Sequence, residues 1–411
     1  MSFTIVACLA LILGALALVL DGAGDGERPA QPALRAAALG AIVELVERER
    51  GLTFERVPEP VAVTPAQARR EGLESLDADY PPARRRADAE VLIMLGLIPP
   101  GTDLGEAVAT TLGEAVAGFY DPREQRLRIV KGAQTANRVL YEMVLAHELT
   151  HVLEDQRFGF DLDLLAAGGD RALAHTALIE GTASALMYRY VERRFAPEEL
   201  FGGLAASAFG GTGSLPPFLN AQLLFSYTAG ERFVARLLEV GGGDWKVVDA
   251  ALRFRPPAST EQVLHPDRYL RVEQPRRVSL RAPLAALGRA WRPALRSSFG
   301  EWQTQKLLAH AGGTRSSNAA AGWGGDRYAL LAHGDQRALV MRWAWDSARD
   351  VAEFAAALRA WGGEGLPDST AVGRHAWRTP DGAAALAVRD GDVTLALAPD
   401  PALARRVARA H

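Results

Sequence analysis

The chain has 411 residues, 48% of them hydrophobic and 23% charged, which is enough to build a sizeable core and about two domains. Its formal net charge is −3, and its basic residues include only three lysines, Lys131, Lys246 and Lys306, so no electrostatic case for binding nucleic acid exists. The single cysteine, Cys8, excludes a disulfide framework within the chain, leaving core packing and any bound metal to hold the fold.

At the N-terminus, residues 3–20 carry no charge and are followed by Asp21-Gly22-Ala23-Gly24-Asp25-Gly26. A run of this length spans most of a ~30 Å hydrocarbon core at ~1.5 Å per residue, so it reads as an export signal or a membrane anchor and not as part of the fold. No Lys or Arg precedes it, and Ala15-Leu16-Ala17, a possible cleavage site, lies inside the run; the balance falls to an uncleaved anchor with the body outside the cytoplasm, secretion being the alternative. Residues 22–32 form a Gly/Pro-rich linker. A main body is expected over 33–275 and a smaller unit over 276–411.

Leu34 to Glu49 predicts a helix, Val61 and Val63 a strand, and Pro65 to Glu71 a helix capped by Thr64 and stopped by Gly72. Residues 115–120 and 126–130, on either side of Asp121-Pro122-Arg123-Glu124, predict a hairpin. Arg138 to Leu153 is a helical pattern without Gly or Pro, and within it stands His147-Glu148-Leu149-Thr150-His151. Two histidines four residues apart lie on one helical face and can share a tetrahedral metal, while Glu148 falls about 100° away, beside the metal and not on it. The histidines continue an apolar stripe through Met143 and Val144, where polar groups need partners. A third histidine in the pattern H-E-x-x-H-x-x-G-x-x-H is excluded by Glu154 and Arg157.

Leu173 to Val191 is a second helical pattern whose face of Leu173, Thr176, Ala177, Ala183, Ser184 and Met187 also carries Glu180. An unpaired carboxylate there is costly and a metal removes the cost, which makes Glu180 the third ligand; His175, off that face, is the alternative. Gly181 inside this helix predicts that another backbone passes close by. Gly202-Gly203 and the glycine-rich run 210–214 read as a lid or a plain surface loop. A helix over Asn220 to Leu238 and a short one capped by Ser259 or Thr260 follow. Beyond Pro275, a capping box at Ser298 and Glu301 predicts a helix to His310. Strands are expected at 328–332, 338–345, 383–388 and 393–398, and helices at 348–361 and 401–411. Trp343, Trp345 and Trp377 read as core of this small α+β unit.

His147-Glu148-Leu149-Thr150-His151-Val152-Leu153-Glu154-Asp155-Gln156 with Glu180-Gly181-Thr182-Ala183 resembles the gluzincin type of metallopeptidase. More closely, it is similar to a group of bacterial proteins with H-E-L-T-H-x-L-x-D-Q and E-G-x-A motifs. Ala117-Gly118-Phe119-Tyr120-Asp121-Pro122, Phe225-Ser226-Tyr227-Thr228-Ala229-Gly230, Ser259-Thr260-Glu261-Gln262-Val263-Leu264-His265-Pro266 and Gly322-Trp323-Gly324-Gly325-Asp326 also fit that group. The resemblance implies an α+β fold, with a mainly helical, zincin-like body bearing a small sheet, followed by the smaller α+β unit. It implies Zn²⁺ on His147, His151 and Glu180, Glu148 as general base, and hydrolysis of a peptide or protein substrate. It also implies a Tyr or His that stabilises an oxyanion, for which Tyr227 and His265 are candidates beside the packing roles open to each. The hairpin ahead of the metal helix would align an extended substrate or be purely structural. Where the thermolysin-like pattern has Asp four residues after the ligand Glu, this chain has Ser184; Asp155 becomes the candidate for orienting a metal-bound histidine. A non-catalytic binding or assembly module, its metal fastening two helices, is the alternative, and the presence of Glu148 favours the enzyme.

Overall fold

The structure, a computed structural model, describes residues 32–114, 118–131, 138–195 and 215–410. The expected anchor, most of the linker, the start of the first hairpin strand and the glycine-rich run lie outside these residues. No helix among the described residues is long and apolar enough to cross a membrane.

Helix α1 (Pro32–Arg50) leads to strand β1 (Val61–Val63) and helix α2 (Pro65–Asp79). Thr64 caps α2 in a reciprocal box with Gln67, as its sequence predicts. Gly72 does not stop α2: it is buried within the helix, which runs on through buried Leu76. Packing overrides the intrinsic cost of a helical glycine here. Helices α3 (Pro82–Met94) and α4 (Leu104–Glu114) precede the hairpin β2 (Gly118–Asp121) and β3 (Arg126–Val130). The small sheet has the order β1-β3-β2, with β1 parallel and β2 antiparallel to β3, so β2 is an edge.

Helix α5 (Arg138–Phe158) carries both histidines, and α6 (Leu162–Ala167) and α7 (Gly169–Arg194) follow. Helix α8 (Pro217–Val240) packs along α7, and α5 packs against both α7 and α1. Four short helices, α9 (Lys246–Phe254), α10 (Thr260–Leu264), α11 (Pro266–Leu270) and α12 (Arg281–Leu287), lead into the C-terminal part. There, β4 (Arg292–Ser297), α13 (Gly300–Ser317), β5 (Trp323–His333), β6 (Gln336–Trp345), α14 (Ala348–Glu364), β7 (Thr370–Gly373), β8 (Ala376–Thr379), β9 (Gly382–Arg389), β10 (Asp392–Ala398) and α15 (Pro401–Arg409) build a second layer structure. Its seven strands are antiparallel in the order β4-β5-β6-β10-β9-β8-β7.

The molecule is therefore α+β, as the resemblance implies. Alternation along the strands sends Leu330, Met341 and Leu395 to one face of the large sheet and Leu331, Val340 and Ala396 to the other. The first face joins the core of the helical body in one continuous cluster that includes Val46, Leu149, Phe233 and Trp343. The second is covered by Leu403 and Val407 of α15 with Leu280 and Leu287. Trp343, Trp345 and Trp377 are all buried, as core residues should be.

Candidate metal centre

His147 and His151 project from one face of α5 because they stand one turn apart, and α7 presents Glu180 to them across the helix pair. His147 Nε2 lies 3.0 Å from His151 Nε2 and 3.1 Å from Glu180 Oε2, and His151 Nε2 lies 3.7 Å from that same oxygen. Ligand atoms on a tetrahedral metal with ~2.1 Å bonds stand roughly 3.4 Å apart, so the observed triangle brackets the required one. All three side chains are buried, at 1%, 1% and 0% exposure. Glu180 Oε1 has no hydrogen-bond partner there, although a buried carboxylate demands compensation. Two imidazole nitrogens and one carboxylate oxygen converging in the buried interior form a donor set that can hold a metal ion. His175 is buried on α7 outside this triad, with burial pushing its imidazole down to about 4.

The electrostatics show the same demand. Burial alone would lower the His151 imidazole, but the carboxylates of Glu180, Glu148 and Glu154 outweigh it and push it up to about 9. Burial would raise Glu180, yet His151 and His147 hold it below the ordinary carboxylate range. Each group thus stabilises the opposite charge on the other, the compensation that a bound cation also provides. His147 is shifted downward, chiefly by burial.

Glu148 is outside the triad, as its helical position requires, and is buried. Its Oε2 accepts a hydrogen bond from the Tyr120 backbone N–H of β2 at 2.9 Å. Burial, reinforced by the Glu180 charge, raises its carboxyl well above the usual value. Tyr227, half-buried on α8, stacks on His147 with ring centroids 5.9 Å apart at 30°, so the structure brings this candidate to the centre.

The structure does not bring His265 there. Its Nε2 lies 3.0 Å from Glu301 Oε1 at the start of α13, and this carboxylate raises the imidazole. Its place follows from its position at the end of α10, which docks onto α13 and the start of α7. Asp155 is likewise corrected: Nδ1 of His151 has no hydrogen-bond partner, and Asp155 instead accepts from the Tyr120 hydroxyl at 2.8 Å and from Phe160 N at 3.2 Å. One residue before Asp155, Glu154 is buried against Arg50, whose Nη2 also reaches Asp249 at 2.8 Å.

Residues 292–408 match the model of a domain of unknown function (DUF8575). No curated protein matches the chain. A crystal structure from Chloroflexus aurantiacus, described provisionally as a hydrolase with a novel fold, is similar at 19% identity and a TM-score of 0.41, covering 63% of this chain and 96% of that one.

Proposed function

We propose that this chain is a zinc-dependent peptidase of the gluzincin type, active outside the cytoplasm and tethered to the membrane through residues 3–20. The observation that carries the reading is the joint placement of the His147, His151 and Glu180 triad and a buried, non-ligating Glu148 beside it. His147 and His151 would hold zinc through Nε2 and Glu180 through Oε2. When bound, the metal supplies a Lewis acid that acidifies water and polarises a peptide carbonyl.

The protein's own groups do the rest. Tyr120 N–H donates to Glu148 Oε2, and the Glu148 carboxylate would take a proton from the attacking water and return it to the leaving amine. Tyr227, whose ring stacks on His147, would be the group that donates its hydroxyl to an oxyanion, while His265 pairs with Glu301. The reading is tested by metal-dependent hydrolysis of an unfolded protein. Chelation should abolish cleavage and zinc should restore it, while Tyr227→Phe should lower kcat by about 10²-fold with metal retained. Cleavage that survives complete removal of metal would refute it.

A further inference from the structure

We infer that Tyr120 is a positioning residue: its phenol fixes the register of β2 along α5, so that its own backbone N–H lands on Glu148. The inference rests on the reading of Glu148 as proton acceptor and extends it to a residue that reaches no reacting atom. Two hydrogen bonds set the geometry. Tyr120 is fully buried; its N–H donates to Glu148 Oε2 at 2.9 Å and its hydroxyl donates to Asp155 Oδ2 at 2.8 Å. Glu148 and Asp155 are seven residues apart, two turns of α5 on one face, so a single strand residue is pinned to the helix at both ends of its length. At Gly118, two residues earlier, an added Cβ would stand 2.9 Å from Ile129 Cδ1 and 3.2 Å from Val144 Cγ1; the strand is seated directly between β3 and α5.

A main-chain donor to Glu148 cannot be removed by choosing another side chain at position 120, but its placement can be. The strand can slide or tilt against the helix only if the phenol lets go of Asp155. The same Asp155 accepts from Phe160 N, and the Phe160 ring stands edge-on to the ligand His151 at 6.3 Å. One carboxylate thus ties the strand bearing the donor to the loop that backs the metal helix. Two segments, Gly118-Phe119-Tyr120-Asp121-Pro122 and Asp155-Gln156, gain a common purpose in this arrangement; Gln156 extends it by accepting from Glu55 N at 2.9 Å and donating to Arg56 O at 2.7 Å.

The test uses the full chain, zinc-loaded and metal-stripped, with Tyr120→Phe, Asp155→Asn and the double variant. Amide hydrogen exchange in the β2 peptide should quicken about fivefold or more in each single variant, with zinc content unchanged. In the double variant it should quicken little beyond Tyr120→Phe, because that change already removes the hydroxyl that Asp155 Oδ2 accepts from, while Asn keeps an oxygen for Phe160 N. Hydrolysis should lose about 10-fold in kcat with KM nearly unchanged, the signature of a misplaced proton acceptor. Unchanged exchange in Tyr120→Phe and Asp155→Asn would overturn the register claim whether or not the parent hydrolyses peptides. Faster exchange with kcat unaltered in an active parent would overturn the positioning role. A parent with no hydrolysis would refute the peptidase reading, and exchange alone would then decide the register.

Discussion

At the scale of single residues, the centre is a problem of buried charge. Glu180 is wholly buried, and its contacts are the two histidines, so removing a ligand leaves an uncompensated group and an incomplete donor set. Parent protein should carry about one zinc per chain, and His147→Ala or Glu180→Ala should lose most of it by elemental analysis; undiminished zinc in either would reject the ligand assignment. A second buried carboxylate gives a pH test away from the metal. Asp170, at the start of α7, accepts from Thr260 N at 3.1 Å and from the Thr260 hydroxyl, and burial, with Asp326 and Glu301 nearby, pushes it up to about 7. Its unfolded value is about 3.9, so the folded state holds the proton more tightly and loses stability as pH rises from about 4 to 7. Asp170→Asn keeps an acceptor oxygen without the charge, and denaturant titrations should show the parent losing stability relative to it by a few kcal/mol over that window. A difference flat with pH would contradict this. The His-Glu-x-x-His ligands were legible because they are local, four residues on one helix. The Tyr120 bonds to Glu148 and Asp155 and the Arg50 pair with Glu154 join residues 28, 35 and 104 apart, and no periodicity in a sequence reports such pairings.

At the scale of elements, the centre depends on how closely α7 and α8 approach. A Cβ on Gly181 would stand 2.2 Å from the Gly230 carbonyl carbon and oxygen, and one on Gly230 would stand 2.0 Å from Ala177 O. The backbones touch where Glu180 and Tyr227 are presented, which answers the expectation raised by a glycine inside a helix. Gly181→Ala should cost about 3 kcal/mol or more and weaken metal binding, because the helices must separate; thermal melting within ~1 °C of the parent would contradict that packing. Elsewhere helix existence was legible and the capping partner was not. The box expected from Ser298 and Glu301 is absent: Asp326 of β5 accepts from Phe299 N and Gly300 N, both at 2.7 Å, and Glu301 turns to His265. A cap supplied across space leaves no local signature, unlike Thr64 with Gln67, three residues on.

At the scale of the molecule, the helical body and the C-terminal sheet share one core, and their junction is built from segments that have no evident role in sequence. Thr260 binds Asp170 at the start of α7 and accepts from Trp302 N at 3.2 Å in α13. Trp323 Nε1 donates to Asp326, the cap of α13, at 3.1 Å. The C-terminal part thus grips the helix that carries Glu180, which is why a motif ending in His265 lies at a joint and not at the metal. On the proposed reading, this assembly sets Glu148 as a proton acceptor beside a metal it does not bind, and Glu148→Gln is the decisive substitution. Glutamine keeps the side chain's size and an acceptor for Tyr120 N–H but takes no proton at neutral pH. The variant should hold about one zinc per chain and melt near the parent, while hydrolysis of an unfolded protein falls by about 10²-fold or more. Equal cleavage by the variant, or zinc lost with the substitution, would refute that role for Glu148.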